Sequence, residues 1–246
     1  MTNRILNPYI SVDCVIFGYN GKELQVLLVD RTLISETDGA IVFSDLTLTG
    51  NHLYEDETIE EAAYRVLFDL TGLNNVFLDQ FKAFAHPDRL KKPNDRRWLL
   101  HDGRDPDKRI VSIGFFSLLA TQDVTLEWKG RNVKWVPLSK IGELAFDHNQ
   151  IVEEALKSLR SKMKHEPIGF ELLPEKFSLT EMQHVYEVIL GTELDKRNFR
   201  KKIARMKYLV PLDEKQKGVA HKPARLYVFS RDVYEKTRKE MFDFTV

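Results

Sequence analysis

Hydrophobic and polar positions along the first two thirds of the chain follow the patterns of a mixed α/β module. Two apolar runs, 10–17 and 24–29, are separated by Asn20-Gly21, a pair that favours a tight β-hairpin turn. Apolar residues in the following segments predict further strands, at 42–49, 76–84, 110–119 and 132–136.

Two segments of this module have the helical spacing of apolar residues. The first helix is expected over 57–71, where Thr58 and Glu61 form a capping box and Gly72 stands in position to end the helix. The second is expected over 149–163. Between them, residues 86–108 are rich in Pro, Asp, Arg and Lys, so we predict a long loop or an insertion there.

The last third of the chain has a different pattern. A helix is predicted over 178–190, capped by Ser178 and Glu181 and stopped by Gly191, and a second helix over 195–208, capped by Asp195. Two short apolar strands, 209–212 and 226–229, flank a polar loop at 213–225. We therefore predict an α/β (α+β) protein with one domain at 1–163, a linker at 164–177 and a second domain at 178–246.

Composition is that of an ordinary globular protein, but the charges are unevenly distributed. Of the 246 residues 43% are hydrophobic, no apolar run reaches the roughly 18 residues that span a bilayer, and no signal peptide is recognisable. The single cysteine, Cys14, cannot form an intrachain disulfide, and we expect a cytoplasmic protein without membrane contact. Residues 1–160 carry 19 basic against 24 acidic side chains and residues 161–246 carry 18 against 13, which indicates two modules with different partners.

The first predicted helix lies in a segment, NHLYEDETIEEAAYRVLFDLTGL at 51–73, that resembles the Nudix signature G-x5-E-x7-R-E-U-x-E-E-x-G-U, in which U is apolar. Glu57, Arg65, Asp69 and Gly72 match conserved positions of that signature. Asn51 replaces its first glycine, although Gly50 precedes it, and the other departures are two apolar residues at glutamate positions, Val66 and Leu70. The resemblance implies a Nudix-like α/β/α sandwich with a mixed sheet.

The two apolar replacements remove carboxylates that the chemistry of Nudix hydrolases needs. These enzymes use Mg²⁺ or Mn²⁺ to cleave a nucleoside diphosphate linkage, and such hard cations need oxygen ligands. One carboxylate beside two apolar groups is a poor metal site, so we predict no catalytic residue, no metal and no cofactor. The rival reading is a divergent hydrolase in which other carboxylates compensate, namely Asp56, Glu60 or Glu61.

The second helix of the last third is strongly basic. It carries seven Lys or Arg and no acid between Lys196 and Lys207, with Phe199, Ile203 and Met206 on one face. A helix–turn–helix followed by a hairpin is the pattern of a winged helix, whose second helix enters the DNA major groove. RNA or an acidic protein partner are the alternatives, and a merely solvated basic face is the plainest one. The predicted DNA-binding residues are Lys196, Arg197, Asn198, Arg200, Lys201 and Arg205 of the helix and His221, Lys222 and Arg225 of the hairpin.

The two modules together resemble the Nudix-related transcriptional regulators of the NrtR and AraR type, and the resemblance covers nearly the whole chain. It implies a homodimer on a palindromic operator of double-stranded DNA. It also implies a small effector, a sugar or an ADP-ribose-type nucleotide, bound by a Nudix-like domain that has lost its activity. The long segment at 86–108 departs from the compact pattern and leaves the identity of the effector open.

An effector is expected in the former substrate cleft, between the first helix and the sheet. Glu57, Arg65, Arg89 and Arg109 are the predicted contacts. The arginines in and beside the 86–108 segment either receive a phosphate or belong to a solvated loop; they are Arg89, Arg96, Arg97, Arg104 and Arg109. Arg65 has the alternative role of a structural partner for Glu57. Two further features have alternatives of their own: Trp98 and Trp128 either stack on a ligand or pack in the protein, and Asp147-His148 either binds a ligand or caps the next helix.

Overall fold

The computed structural model describes residues 4–74, 76–124, 126, 132–218 and 222–237. It divides into two compact units, Met1–Ser158 and Leu159–Val246. Among the described residues, no helix has the length and apolar character required to cross a membrane.

The N-terminal unit is built on a mixed sheet to which the described residues contribute seven strands. These are β1 (Leu6–Tyr19), β2 (Leu24–Ile34), β3 (Ile41–Thr47), β4 (Thr49–Tyr54), β5 (Asp79–Phe84), β6 (Val111–Ala120) and β7 (Val133–Pro137). The main path of the sheet is β3-β2-β1-β6-β5, with β4 paired to β1 and β7 paired to β2. The pair β1–β6 is parallel and the other pairs are antiparallel, which confirms the predicted mixed sheet.

Helix α1 (Ile59–Thr71) covers one face of this sheet. The predicted capping box of Thr58 and Glu61 is present, and Gly72 ends the helix in the left-handed conformation with φ 75°. The inner side of the helix packs on apolar residues of β1 and on Leu27, including the buried thiol of Cys14. Helix α3 (His148–His165) begins in this unit and also agrees with the predicted helix.

The segment 86–108, predicted as a long loop or an insertion, contains a helix, so the loop alternative is wrong in the middle of the segment. Helix α2 (Pro93–His101) starts with proline at its first position, where the missing N–H costs no hydrogen bond. Asp95 and Leu99, one turn apart, are both buried, and Leu99 packs with Leu90 and Ile110. The charged composition concealed the helix because its buried face carries a carboxylate as well as a leucine.

The described part of the C-terminal unit contains a three-stranded sheet with the order β8-β10-β9 and two helices in a helix–turn–helix. The elements are β8 (Phe177–Ser178), α4 (Leu179–Leu190), α5 (Lys196–Ile203), β9 (Leu209–Lys215), β10 (Arg225–Phe229) and α6 (Arg231–Thr237). The capping box of Ser178 and Glu181 and the stop at Gly191 predicted for α4 are present, and Asp195 caps α5. A helix–turn–helix followed by an antiparallel hairpin is the predicted winged-helix arrangement.

Two details of this unit differ from the predicted elements. Helix α5 ends at Ile203 rather than 208, because the chain turns there to bury Tyr208 and Leu209 at the start of β9. Within the predicted linker, a short 3₁₀ helix (Ile168–Leu172) buries Phe170, whose ring stacks on Phe229 at 4.6 Å between centroids. The predicted domain boundaries themselves stay a prediction.

Candidate functional site

A cleft in the N-terminal unit lies between the sheet, the end of α1 and helix α2. It is open to solvent and has a cavity volume of about 80 Å³. Its polar lining comes from the sheet, from the segments around α2 and from the start of α3. The lining residues are Ser11 and Asp13 of β1, Arg31 of β2, Thr47 of β3, Asn51 and His52 of β4, Arg89 and Arg104 on either side of α2, and His148 of α3. Gly50 is also in the lining, and a side chain there would collide with the Asp13 carboxylate, so glycine is required beside this acid.

Arg89 is the centre of one buried ion-pair cluster in the cleft. Its guanidinium donates two hydrogen bonds to the Asp147 carboxylate at 2.8 and 2.9 Å, and its Nη2 lies 3.6 Å from an Asp13 oxygen. Asp13 also accepts a hydrogen bond from Ser112 and faces the Nε2 atom of His148 at 3.4 Å. All the polar groups of this cluster therefore hold one another in place.

His148 has a defined tautomer because of its position at the start of α3. The Leu48 backbone N–H donates to its Nδ1 at 3.0 Å, so this nitrogen carries no proton and Nε2–H points to Asp13. Burial lowers the pKa of the His148 imidazole, although the nearby Asp13 carboxylate opposes this shift. The neutral ring is thus the form that the fold accommodates.

Arg31 is the centre of a second cluster, formed with helix α2. Its guanidinium donates to Asp45 at 2.7 and 2.6 Å and to Asp95 at 2.7 Å, and its side chain is only 1% exposed. Asp95 in turn accepts a hydrogen bond from the backbone N–H of Phe146, which has a positive φ of 51°. This cluster fastens the 86–108 segment to the sheet.

The box helix α1 presents apolar groups at two of its three carboxylate positions. Val66 is buried in the hydrophobic core, and Leu70 packs against the same core and lines the cleft. Asp69 is mostly exposed and lies 3.8 Å from Arg65. Among the described residues, no group of three or more His, Cys, Asp or Glu is arranged to hold a metal ion.

Of the four predicted effector contacts, the structure places only Arg89 in the cleft lining. Glu57 and Arg65 form an ion pair with two hydrogen bonds. Glu57 also accepts a hydrogen bond from the Tyr54 N–H, and Arg65 also donates one to the His52 carbonyl. The structural alternative for Arg65, as a partner of Glu57, is therefore confirmed. Arg109 is exposed and donates to the Ala85 carbonyl.

The other residues considered as ligand contacts are Trp98, Trp128 and the pair Asp147-His148. Trp98, on α2, is half-buried and lines the cleft. Trp128 lies outside the described residues. For Asp147-His148 the alternatives were a ligand contact and a helix cap. Asp147 directly precedes α3 and its backbone carbonyl accepts from the first turn, but its carboxylate binds Arg89 and does not cap the helix.

In the C-terminal unit, helix α5 has a buried apolar face and an exposed basic face. Phe199 and Ile203 are each 3% exposed, and Phe199 packs edge-on against Tyr186 of α4. The predicted DNA-binding residues of the helix face outward: Lys196, Arg197, Asn198, Arg200 and Lys201 are all exposed, as is Arg205 just beyond its end. An apolar inner face therefore anchors a helix whose outer face is cationic.

The turn before α5 is held by a small polar cluster on α4. Glu187 accepts hydrogen bonds from the Gln183 amide at 2.8 Å and from the Leu194 backbone N–H at 2.9 Å. Gln183 also donates to the Leu194 carbonyl. These bonds set the direction in which α5 leaves the turn.

The wing contributes basic groups beside this helix. Arg200 of α5 lines one groove together with Lys222 and Arg225 of the wing. Arg225 also braces the hairpin, since its guanidinium donates to the Leu212 carbonyl at 2.7 Å and to Asp213 at 3.2 Å. His221, the third predicted wing residue, lies outside the described residues.

Two known protein families match this chain, one in each structural unit. Residues 8–159 match the NUDIX domain, which is more than half of the chain. The chain belongs to the Nudix family. Residues 169–229 match the "NrtR DNA-binding winged helix domain", so the Nudix domain is followed by an NrtR-type winged helix.

Relatives of the same two-domain construction exist among characterised proteins. An "ADPR responsive transcriptional repressor NtrR" of Acinetobacter baylyi is 26% identical over 97% of this chain and 88% of its own. The crystal structure of Shewanella oneidensis NrtR is 28% identical with a TM-score of 0.67, over 91% of this chain and 94% of that one. The same Shewanella protein complexed with a 27mer DNA is 26% identical with a TM-score of 0.66, covering 92% and 95%.

Sequence reasoning missed two residues that line the cleft, Asp13 and Arg31, and one residue of α2 that binds Arg31, Asp95. Arg31, Asp13 and Asp95 were not singled out because their partners are distant along the chain. A usable signal was present for one of them, since Asp13 is the charged residue inside the otherwise apolar run 12–17. A charge in such a place is seldom kept unless it is paired.

The buried neutral His148 predicts that the Nudix domain loses stability in mild acid. Its folded-state pKa is lowered, so the unfolded chain binds the proton first as the pH falls below the ordinary value of about 6.5. The free energy of unfolding should therefore decrease below that pH, by up to about 1.4 kcal/mol per pH unit for this group. Urea denaturation between about pH 7.5 and 5.5 measures the slope.

The control separates His148 from other groups that titrate. His148→Gln keeps an acceptor and a donor but cannot ionise, so its slope should be smaller than that of the wild type. His52, whose pKa is also lowered by burial, remains in this variant and accounts for a residual slope. The exposed His165→Gln variant should retain the full slope, and equal slopes in all three proteins would contradict the assignment.

Proposed function

We propose that this chain is a ligand-responsive bacterial transcriptional regulator. It binds operator DNA through its winged helix, and its Nudix domain senses a small molecule, a sugar or an ADP-ribose-type nucleotide, without hydrolysing it. The observation that carries the proposal is the exposed basic face of α5, held above the buried Phe199 and Ile203.

The geometry of the C-terminal unit supports DNA over the alternative partners. Arg and Asn side chains on an exposed helix provide the donors and acceptors that read base edges in a major groove. The groove that Arg200 shares with Lys222 and Arg225 provides positive charge beside that helix for the DNA backbone. An RNA or an acidic protein would not require a helix and a wing that present their basic groups together.

The Nudix domain supports the sensing role through what its cleft retains. The cleft is lined by polar groups and by Leu70 at a former carboxylate position. The Acinetobacter relative is described as ADPR-responsive, which supports a small-molecule effector for this chain as well. An effector that prefers one conformation of the protein would shift DNA affinity by the typical coupling of about 1–3 kcal/mol.

We further propose that the protein acts as a cytoplasmic homodimer. Winged-helix regulators that bind palindromic operators place one recognition helix in each half-site, which needs two copies related by a two-fold axis. The 27mer DNA bound by the Shewanella relative supports DNA as the partner of this chain.

The direct test is a mobility-shift assay with DNA from upstream of the protein's own gene. We expect binding that weakens by about 10³-fold or more between about 50 and 200 mM salt, because each phosphate contact releases a counterion. Candidate effectors added at fixed salt should change the affinity. Binding that does not depend on salt, or equal binding to RNA of the same sequence, would contradict the proposal.

The absence of hydrolysis needs its own test, since a divergent hydrolase is the rival function. Incubation of the full chain with ADP-ribose and Mg²⁺ should give no turnover, because Val66 and Leu70 offer no oxygen ligands where the signature has glutamates. An active Nudix hydrolase serves as the positive control. Metal-dependent release of AMP at a rate of about 1 s⁻¹ or faster would establish the rival function.

A further inference from the structure

A groove in the C-terminal unit, here called the wing groove, lies between helix α5 and the wing and has a cavity volume of about 680 Å³. Three exposed cations line it, Arg200 of α5 and Lys222 and Arg225 of the wing. Among the described residues of the lining there is no acidic side chain. The wing groove therefore suits a chain of negative charges, such as one strand of a DNA duplex.

Apolar side chains form the inner surface of the same groove. Ile203 and Leu209 are buried, and Met206 and Tyr227 are half-buried. Pro211, also in the lining, stands opposite Tyr227 in the antiparallel pair of β9 and β10. Most of these residues are less exposed than the three cations, so a ligand in the wing groove meets apolar surface at the bottom and positive charge at the rim.

Hydrogen bonds within the unit hold the walls of the groove in place. The Met206 N–H donates to the Ile203 carbonyl at 2.9 Å, in the turn that ends α5. On the opposite wall, the Arg225 guanidinium donates to the Leu212 carbonyl at 2.7 Å and to Asp213 at 3.2 Å. A wall that is formed in advance does not rearrange to pair with a misplaced polar group, so it discriminates between ligands.

The backbone of DNA has the two properties that the groove requires. Its phosphates are charged, and the 2′ carbon of each deoxyribose carries only hydrogen, so that edge of the sugar is apolar. In RNA the same carbon carries a hydroxyl, the group by which a protein distinguishes the two nucleic acids. A hydroxyl pressed onto apolar surface loses its water without gaining a hydrogen-bond partner, which is unfavourable.

From this arrangement we propose that the wing groove selects deoxyribose over ribose in the operator strand that it holds. Phosphates of that strand bind the cations at the rim, Arg200, Lys222 and Arg225. The 2′ edge of a sugar between two such phosphates packs on Met206 and Pro211. The inference rests on the proposed function, and it adds a selection that concerns the sugar and is independent of the bases that α5 reads.

The experiment is a binding titration of the full chain with duplexes that differ at one sugar. The parent duplex is the shortest fragment of upstream DNA that the protein binds. A ribonucleotide replaces each deoxyribonucleotide in turn, with the base unchanged. We expect a small number of positions at which the ribonucleotide weakens binding by about 10-fold, which is the effect of an unpaired hydroxyl on apolar surface.

A 2′-fluoro sugar at the sensitive positions separates the hydroxyl from the shape of the sugar. Fluorine at this carbon favours the same RNA-like sugar pucker as a hydroxyl, but it has no proton to donate and needs no hydrogen-bond partner. We expect the 2′-fluoro duplexes to bind within about 2-fold of the parent duplex. Equal weakening by fluorine and by the hydroxyl would show that the shape of the duplex is responsible, and would overturn the inference.

Two glutamine variants test the location of the selection. Met206→Gln keeps the length of the side chain and adds an amide that pairs with a hydroxyl, so the preference for deoxyribose should fall to about 3-fold or less. Val210→Gln is the matched control, because Val210 is 38% exposed and lies outside the lining of the groove. It should keep the full preference. Neither change alters a charge, so both variants should keep the salt dependence of the wild type.

The outcomes separate this inference from the proposed function. If no ribonucleotide position weakens binding, or if Met206→Gln keeps the full preference, the inference is overturned, while salt-dependent binding of the parent duplex still supports a regulator. If the wild type binds no upstream DNA, the proposed function fails and the inference fails with it. Circular dichroism of both variants verifies that they fold.

Discussion

Replacing Arg31 with methionine is expected to lower the free energy of unfolding of the Nudix domain by about 3–5 kcal/mol, which is the cost of leaving buried carboxylates without their cation. Asp95 is 1% exposed and would lose its ion-pair partner, and Asp45 would lose both of its hydrogen bonds. Urea denaturation at neutral pH measures the change through the midpoint and slope of the transition.

A matched control separates burial from charge. Arg96 also belongs to the 86–108 segment, but its ion pair with Asp107 is exposed, with side-chain exposures of 40% and 75%. Arg96→Met should therefore cost less than about 1 kcal/mol. The double variant Arg31→Met with Asp95→Leu should regain part of the lost free energy of unfolding, because it has an apolar pair in place of a buried, unpaired Asp95 carboxylate. A loss for Arg31→Met no larger than that of Arg96→Met would contradict the buried ion pair.

The second large effect concerns DNA affinity. Replacing both Arg197 and Arg200 with alanine should weaken operator binding by about 100-fold or more, since each base or phosphate contact of an arginine contributes about 1–3 kcal/mol. Both residues are exposed on α5, outside the buried face, so the fold should be preserved. If both contact phosphates, the slope of log affinity against log salt should also decrease by about 1.8.

The control for this prediction removes the same charge elsewhere. Lys91 and Lys157 are 69% and 70% exposed, and both lie in the Nudix domain. Their double alanine variant has the same net charge as the α5 variant but should bind DNA nearly as the wild type does. Circular dichroism of both variants checks that the helices are intact. Similar losses in the two variants would indicate a general effect of charge rather than a recognition helix.

Much of the architecture was predictable because its signals are local. The hairpin at Asn20-Gly21, the capping boxes at Thr58 and Ser178, and the stops at Gly72 and Gly191 all depend on neighbours within a few residues. Helix α5 was also recognisable, from its basic residues and its apolar face. Its end at Ile203 was not, because burial of Tyr208 and Leu209 in the wing decides where the chain turns.

The cleft was much less predictable. Glu57 and Arg65 match the signature and were therefore predicted to contact the effector. In the structure they pair with each other and stabilise the connection between β4 and α1. Helix α2 was hidden because its buried face includes Asp95, which the helical pattern of apolar residues does not count. The hydrogen-bond partner of Asp95 is Arg31, which lies 64 positions earlier in the chain.

The sequence alone determined that a Nudix box is present with Val66 and Leu70 in place of carboxylates, and that a basic helix follows in a second module. These properties belong to residues that are close together in the chain, where helical and strand periodicity relate one position to the next. Only the tertiary structure decided which charges are available to a ligand. Pairing of Arg31 with Asp45 and Asp95, and of Arg89 with Asp13 and Asp147, joins residues that the chain holds far apart, and burial makes each pairing energetically necessary.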